Sequence, residues 1–418
     1  MTIDYLPTYA QGAVVACCGA DGRTLVADLD EAMQLPLRPG SESWFGGKTK
    51  VGFWDARSRT LLRDGSDPAA VNIYAQSFRE APGAGPGRHR YRISLAPGPQ
   101  AAPPAGALVT VFPRGGRHSL ALRGVSGSRF HGVSIYGGSS FGVLELMGGG
   151  GNCFHQLNVT RRPLPDGYDR LLATNADGFH STSNTVGPTI QGSHIAFVGD
   201  DIGNINTMFF VVLRVSQGNN VTIIDHSGNF MGGPRGIQNV SFFHLNSFAP
   251  EGSAVRVKAA RLATDDDAKR RLARARTDLA RLDAHFQDAA WAAAVAVELS
   301  LERVPPGVEE LRSTLAHSLG SNANARVLDS SFHDGYARAF LLKTTGTRVR
   351  NNLWARAGGI HVGPEQNWLE GDPGLTDVEI TDNVLDACGT PAISVPPALS
   401  GRVVLRNNTE ARPREVLV

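Results

Sequence analysis

The sequence predicts an all-β chain built mainly as a parallel β-helix, interrupted by a strand-rich segment that carries one helix. Three observations lead there. From about residue 107 short β-prone runs are separated by Gly, Asn and Ser. Phe130-His131-Gly132-Val133 returns 24 residues later as Phe154-His155-Gln156-Leu157. Near the C-terminus, Val349-Arg350-Asn351-Asn352, Ile380-Thr381-Asp382-Asn383 and Leu405-Arg406-Asn407-Asn408 share one pattern at steps of 31 and 25 residues. Short strands repeating at this length stack turn upon turn, each pairing with its equivalent in the next rung. Asn at equivalent turns can then form a ladder of amides. A β-sandwich also spaces its strands between turns, but has no reason to keep residue type and phase together.

The segments follow in order. Residues 1–106 are irregular, rich in Gly and Pro after Ala81, with strand-like pieces Val51-Gly52-Phe53-Trp54 and Tyr91-Arg92-Ile93-Ser94-Leu95. They are expected to form an edge layer and the N-terminal cap that an open solenoid core requires. Residues 107–208 carry the first rungs and 319–418 the last. Between them, 209–318 breaks the repeat with runs at 209–215, 220–224, 240–244 and 254–259 that look antiparallel. A helix follows, capped by Thr264-Asp265-Asp266-Asp267 and running towards His285, with Leu272, Leu279 and Leu282 on one face.

Composition narrows the function. Across 418 residues, 41 basic and 39 acidic side chains leave a formal charge of +2. No field of one sign argues for nucleic acid or an anionic membrane. No apolar run reaches the ~18 residues of a span, and Met1-Thr2-Ile3-Asp4-Tyr5 opens without a basic, then apolar, leader. A soluble, cytoplasmic protein with neither nucleic-acid nor membrane partners is expected. Cys17, Cys18, Cys153 and Cys388 lack metal-type spacing, and the adjacent pair could bridge only with strain, so reduced thiols are expected. The glycine run at 148–151 has no following Lys-Ser/Thr and is no phosphate loop.

The chemistry concentrates in Asn175-Ala176-Asp177-Gly178-Phe179-His180 and Gly199-Asp200-Asp201-Ile202-Gly203-Asn204. Asp177 precedes the doublet by 23 residues, about one rung. Rungs about 4.8 Å apart would set Asp177 directly beneath Asp200. Asp201 would face the other way on a regular strand, but Gly178, Gly199 and Gly203 permit a bulge or corner that turns both acids outward. Such crowding raises at least one pKa and supplies a protonated acid beside ionised neighbours. That is the equipment for cleaving a glycosidic bond. Asp-Gly and Asp-Asp alone are also common turn caps; two such motifs one rung apart favour a site. His180 follows Asp177 by three and could line the same groove, Asn204 and Asn206 could bind sugar hydroxyls, and Arg338 could reach a ligand. Trp368 with Glu370 could offer an aromatic platform and a hydroxyl acceptor. No metal and no cofactor is implied.

Here the stretch 173–207 resembles the inverting α-galactosidases of glycoside hydrolase family 110. The matching features are Ala176-Asp177, Gly187, Phe197, Asp200-Asp201 and Asn204-Ile205-Asn206-Thr207, then Arg338-Ala339-Phe340-Leu341-Leu342-Lys343-Thr344-Thr345, Asn351-Asn352 and Asn367-Trp368-Leu369-Glu370. The likeness spans roughly 107–410, although Asn206 stands where the family has His and the inserted segment carries a helix. It implies a right-handed β-helix with an inserted β-barrel, and inverting hydrolysis of a terminal α-linked galactose or related hexopyranoside. It makes Asp200 the general acid and has Asp177 and Asp201 activate water. Asn175-Ala176-Asp177-Gly178 and Gly199-Asp200-Asp201 also look like polygalacturonase motifs, with Arg256-Val257-Lys258 as a possible uronate clamp and His226 a poor substitute for that family's Gly-His-Gly. Arg256 and Lys258 read more simply as strand residues. Two alternatives therefore stay open: a hydrolase or lyase of uronate polymers, and a carbohydrate-binding β-helix without catalysis.

Overall fold

The computed structural model describes the chain except residues 6, 19–22, 31–48, 63–72, 97–102, 114–115, 163–168, 227–229, 231–238, 283–293, 318–320 and 412–418. Three parallel sheets of eight, seven and seven strands wind together as a β-helix. The rung inferred from the Phe repeat is real: Cys153–His155 pairs with Arg129–His131 so that Phe154 lies on Phe130 and His155 on His131. The two rings stack with centroids 5.0 Å apart. Inward positions are mostly apolar on all three sheets, and Phe154, Phe179, Ile195, Ile205, Phe332 and Phe340 are fully buried in one core.

The repeated polar turns have two separate jobs. One corner is left-handed at every rung, occupied by Gly132, Gln156, Gly192, Asp329, Asn351, Asp382 and Asn407 with φ between 52° and 62°. Gly, Asn and Asp tolerate that conformation best. The next residue builds the ladder. Asn383 Oδ1 accepts the Asn352 N–H at 3.0 Å, and Asn408 Oδ1 accepts the Asn383 N–H at 3.1 Å. Ser330 and Ser193 continue it, the Ser330 N–H donating to Asn352 Oδ1 and the Ser193 N–H to Ser330 Oγ, both at 3.0 Å.

The N-terminal region is more structured than a cap. Six antiparallel strands, ordered Thr49–Trp54, Leu108–Pro113, Ala10–Cys18, Thr24–Asp30, Arg88–Leu95 and Ala75–Ala81, form one sheet. Leu108–Pro113 thus belongs to this sheet although it falls beyond residue 106, while Thr2–Ile3 pairs with Ser134–Ile135 inside the solenoid. Phe112, Leu171, Leu172 and Tyr336 bury the sheet against the rungs. The Tyr336 hydroxyl donates to the Val51 carbonyl and accepts from the Ile73 N–H at 3.1 Å.

The interruption closes into a six-stranded antiparallel barrel, ordered Phe209–Ser216, Asn220–Asp225, Val295–Leu301, Val255–Leu262, Asn239–His244 and Ser313–His317. Val295–Leu301 and Ser313–His317 complete it beyond the four strands that the sequence suggested. The helix Asp266–Leu282 is capped by Asp265, whose carboxylate accepts the Ala268 N–H at 2.8 Å. Ala268, Ala275 and Leu279 pack against Phe209, Val211 and Leu213, with Leu272 partly buried beside them; His285 lies outside the described residues.

Candidate active site

Pairing of Phe179–Thr182 with Gly203–Asn206 runs at an offset of 24, Phe179 on Gly203 and Thr182 on Asn206. The bridge between Thr174 and Val198 keeps the same offset. Asp177 therefore lies beneath Asp201, not beneath Asp200 as the sequence spacing suggested. The separation of 23 reaches the first member of the doublet, whereas the pairing offset of 24 reaches the second. Continuing upward, Gly203 pairs with Phe340, which sets Arg338 on the rung above Asp201.

The three acids do converge. One carboxylate oxygen from each of Asp177, Asp200 and Asp201 lies within 4.8 Å of the others, and all three residues are buried. The glycines act differently from the expectation. Gly178, Gly199 and Gly203 have no left-handed backbone; they leave room. A Cβ on Gly203 would sit 2.2 Å from Phe340, and one on Gly199 would sit 2.7 Å from Phe112 and from the Asn175 carbonyl. The glycines let the doublet rung pack flat against its neighbours and the N-terminal sheet.

Each acid faces a basic group. His180 Nδ1 is 2.7 Å from Asp177 Oδ2. Lys50 Nζ, on the first strand of the N-terminal sheet's edge, is 3.0 Å from Asp200 Oδ1 and donates to the Gly199 carbonyl at 3.2 Å. Arg338 grips Asp201 twice, Nε to Oδ1 at 3.1 Å and Nη2 to Oδ2 at 3.2 Å, while its backbone N–H donates to Oδ1 at 2.9 Å. Burial pushes Asp201 up, and with the charges of Asp200 and Asp177 it outweighs Arg338, leaving the group at about 6.

A second layer of charge borders the trio. Arg338 also holds Glu365, and buried Lys343 reaches Glu365 and Glu370, each at 2.6 Å. Burial alone would raise Glu365; Lys343 and Arg338 overcome it and hold the group at about 2. Asn204 Nδ2 donates to Glu370 Oε2 at 3.2 Å. The loop 365–370 is fixed to the barrel, because the Phe209 N–H donates to the Leu369 carbonyl at 3.0 Å and Gln366 Nε2 to Asn246 Oδ1 at 2.8 Å. Trp368 ends its short 3₁₀ turn, half-buried, in this loop.

Asp177, His180, Asp200, Asp201, Asn204, Asn206, Arg338 and Glu370 thus enter one contact network, though not all with a free face. Asn206 is fully buried: Thr182 Oγ1 donates to its Oδ1 at 2.6 Å, and its Nδ2 donates to Asn204 Oδ1 at 3.1 Å and lies 3.3 Å from His180 Nε2. It orients His180 and has no group left for a sugar. The His180 ring stacks on Phe141 at 4.7 Å, and Phe141 on His118 at 5.0 Å. Arg256 and Lys258 are exposed on the barrel strand Val255–Leu262, as strand residues. Sequence reasoning missed Lys50, Lys343, Glu365 and Phe141. Lys343 stood inside the matching 338–345 stretch, whereas nothing in the sequence ties Lys50 to an acid 150 residues downstream.

No model of a known protein family and no curated protein matches the chain.

Proposed function

We propose that the chain is a glycoside hydrolase, cleaving a terminal α-linked galactose or a related hexopyranoside, with Asp177, Asp200 and Asp201 as its catalytic acids. The observation that carries this reading is the convergence of three carboxylates from two successive rungs, bordered by the partly open Arg338, Glu365 and Glu370. The α-galactosidase likeness of 173–207 supplies the sugar.

The roles within the trio follow the electrostatics. The Lys50 ammonium occupies Asp200 Oδ1 at 3.0 Å, which argues against Asp200 as the proton donor. Asp201, at about 6, holds a proton on mildly acidic solutions and is assigned as the general acid. Asp200 and Asp177 then polarise the attacking water, with Asp177 fixed by His180. Five carboxylates face three permanent cations, Lys50, Arg338 and Lys343, so the cluster carries an excess of negative charge that a proton on Asp201 reduces.

Release of nitrophenol from a panel of α- and β-linked sugars tests the activity, and ¹H NMR of the first product anomer tests the stereochemistry. Inversion is the expected outcome. The oxygens within 4.8 Å are closer than the about 6.5–9.5 Å that separates acid and base around a water, so inversion needs the side chains to part as substrate enters. Retention would reject the inverting scheme and favour a covalent intermediate, for which about 5 Å is the usual spacing. The pairing of each acid with a basic group favours a second reading, a non-catalytic carbohydrate-binding β-helix braced by ion pairs. Sugar binding without turnover, unchanged when all three acids become Asn, would select it.

A further inference from the structure

Three residues before Asp200, on the eight-stranded sheet, a second charged cluster lies outside the candidate active site. The pairing offsets place Arg161, Phe197, Asp334 and Arg356 at equivalent positions on four successive rungs. The Arg161 guanidinium lies over the Phe197 ring, 3.7 Å from its centroid. Phe197 meets the His333 ring edge-on at 5.2 Å, and His333 lies 4.9 Å from the His194 ring. Asp334 is fully buried and already committed. It receives Arg356 Nε at 2.9 Å and Nη2 at 2.7 Å, the Leu61 N–H at 3.0 Å, and contacts His333 Nδ1 at 2.6 Å.

Arg161 is different. Among the described residues no carboxylate lies within ion-pair distance of it, and its protein hydrogen bond is a long one, Nη1 to the Leu171 carbonyl at 3.5 Å. Beside it Arg59 Nη2 donates to the Asp169 carbonyl at 3.1 Å, with the exposed Asp169 carboxylate 4.0 Å from Nε. The segment presenting both carbonyls is pinned by the N-terminal sheet. The Tyr9 hydroxyl accepts the Leu171 and Leu172 N–H groups at 3.1 Å, and Gln11 Nε2 donates to the Asp169 carbonyl at 2.7 Å. Two guanidiniums are thus held near one another on a rigid frame; burial, then the Arg59 charge, pushes Arg161 down to about 10. Like charges fixed this way are relieved by an anion between them.

We propose that Arg161 and Arg59, the first lying over the Phe197 ring, form a binding site for an oxyanion, the phosphate or carboxylate group of an acidic ligand. A guanidinium fork fits either group in bidentate fashion, and Phe197 backs the Arg161 plane so that its N–H edge stays available. The site stands apart from the hydrolase reading, since none of its residues belongs to the acid trio.

Isothermal titration of the full chain at constant ionic strength, with inorganic phosphate in one arm and galacturonate in the other, tests it. Saturable binding of at least one probe in the millimolar range or tighter is expected, weakened about tenfold or more in Arg161→Gln and in Arg59→Gln but unchanged in Asp201→Asn. Binding of phosphate alone identifies a phosphate ligand; binding of galacturonate alone identifies a sugar carboxylate. No saturable binding of either probe, or wild-type affinity in a folded Arg161→Gln protein, overturns the proposal. Should Arg161→Gln fail to fold, wild-type affinity in Arg59→Gln does the same.

Discussion

Replacing Lys50 by Met removes a cation from the interior of the candidate site while keeping its apolar stem. Lys50 is 1% exposed and Asp200 5%, and the charged atoms are 3.0 Å apart. At an effective dielectric of about 20 that separation corresponds to an attraction of about 5 kcal/mol. Breaking a buried pair from one side usually costs about 3–5 kcal/mol, because the remaining charge stays desolvated. Lys50→Met should therefore lose about 3–5 kcal/mol, and Asp200→Asn a similar amount through the stranded ammonium. The double variant Lys50→Met/Asp200→Asn strands neither partner of this pair and should be at least as stable as either single. Urea unfolding followed by tryptophan fluorescence measures all four proteins, Trp54 lying on the same strand as Lys50. The expected coupling is about 3 kcal/mol or more. Costs that simply add, with coupling below about 1 kcal/mol, would mean that the pair behaves like an exposed one and that Lys50 does not fix Asp200 in the site.

Other consequences can be measured on the same scaffold. Glu145 sits inside the solenoid, where burial pushes it from 4.5 up to about 7 against hydrogen bonds from Ser181 Oγ at 2.7 Å and Asn152 Nδ2 at 3.1 Å. The folded state binds this proton more tightly than the unfolded chain, so stability declines as pH rises from about 4.5 to about 7. About 2–3 kcal/mol of that decline falls between pH 5 and pH 8; Glu145→Gln should lack it, and parallel stability–pH curves for the two proteins would refute the assignment. Asn383→Ala strips the ladder of the acceptor for Asn352 and the donor to the Val349 carbonyl, and should cost about 3 kcal/mol in denaturant unfolding. If Asp201 is the proton donor, turnover should decrease as pH rises through about 6, and an alkaline limb unmoved by Arg338→Gln, which removes the cation opposing that shift, would count against it.

The rungs were legible because inward Phe residues and corner Asn residues must repeat wherever strands stack in register. The 24-residue step of Phe130 and Phe154 is the same offset that places Asp177 under Asp201, and the doublet offers two acids only one residue apart in phase. Leu108–Pro113 was ambiguous, since Leu-Val-Thr-Val-Phe suits a parallel rung and an antiparallel sheet equally. The strand-rich interruption and its Asp265 cap could be recognised from local pattern, whereas barrel closure by Val295–Leu301 and Ser313–His317 depends on pairings far apart in the chain. Lys50 left no trace for the same reason. Asn206 looked like a sugar ligand because its type and phase fit, but its amide is consumed by Thr182 and Asn204.

The hydrolase reading stands or falls most directly on the turnover of Asp201→Asn, assayed on whichever glycoside the wild type cleaves, with folding checked by its unfolding curve. A fall of about two to four orders of magnitude in a folded protein is the expected result. Turnover within about tenfold of wild type would contradict it, and would return the three acids to the role of ion-paired braces between rungs.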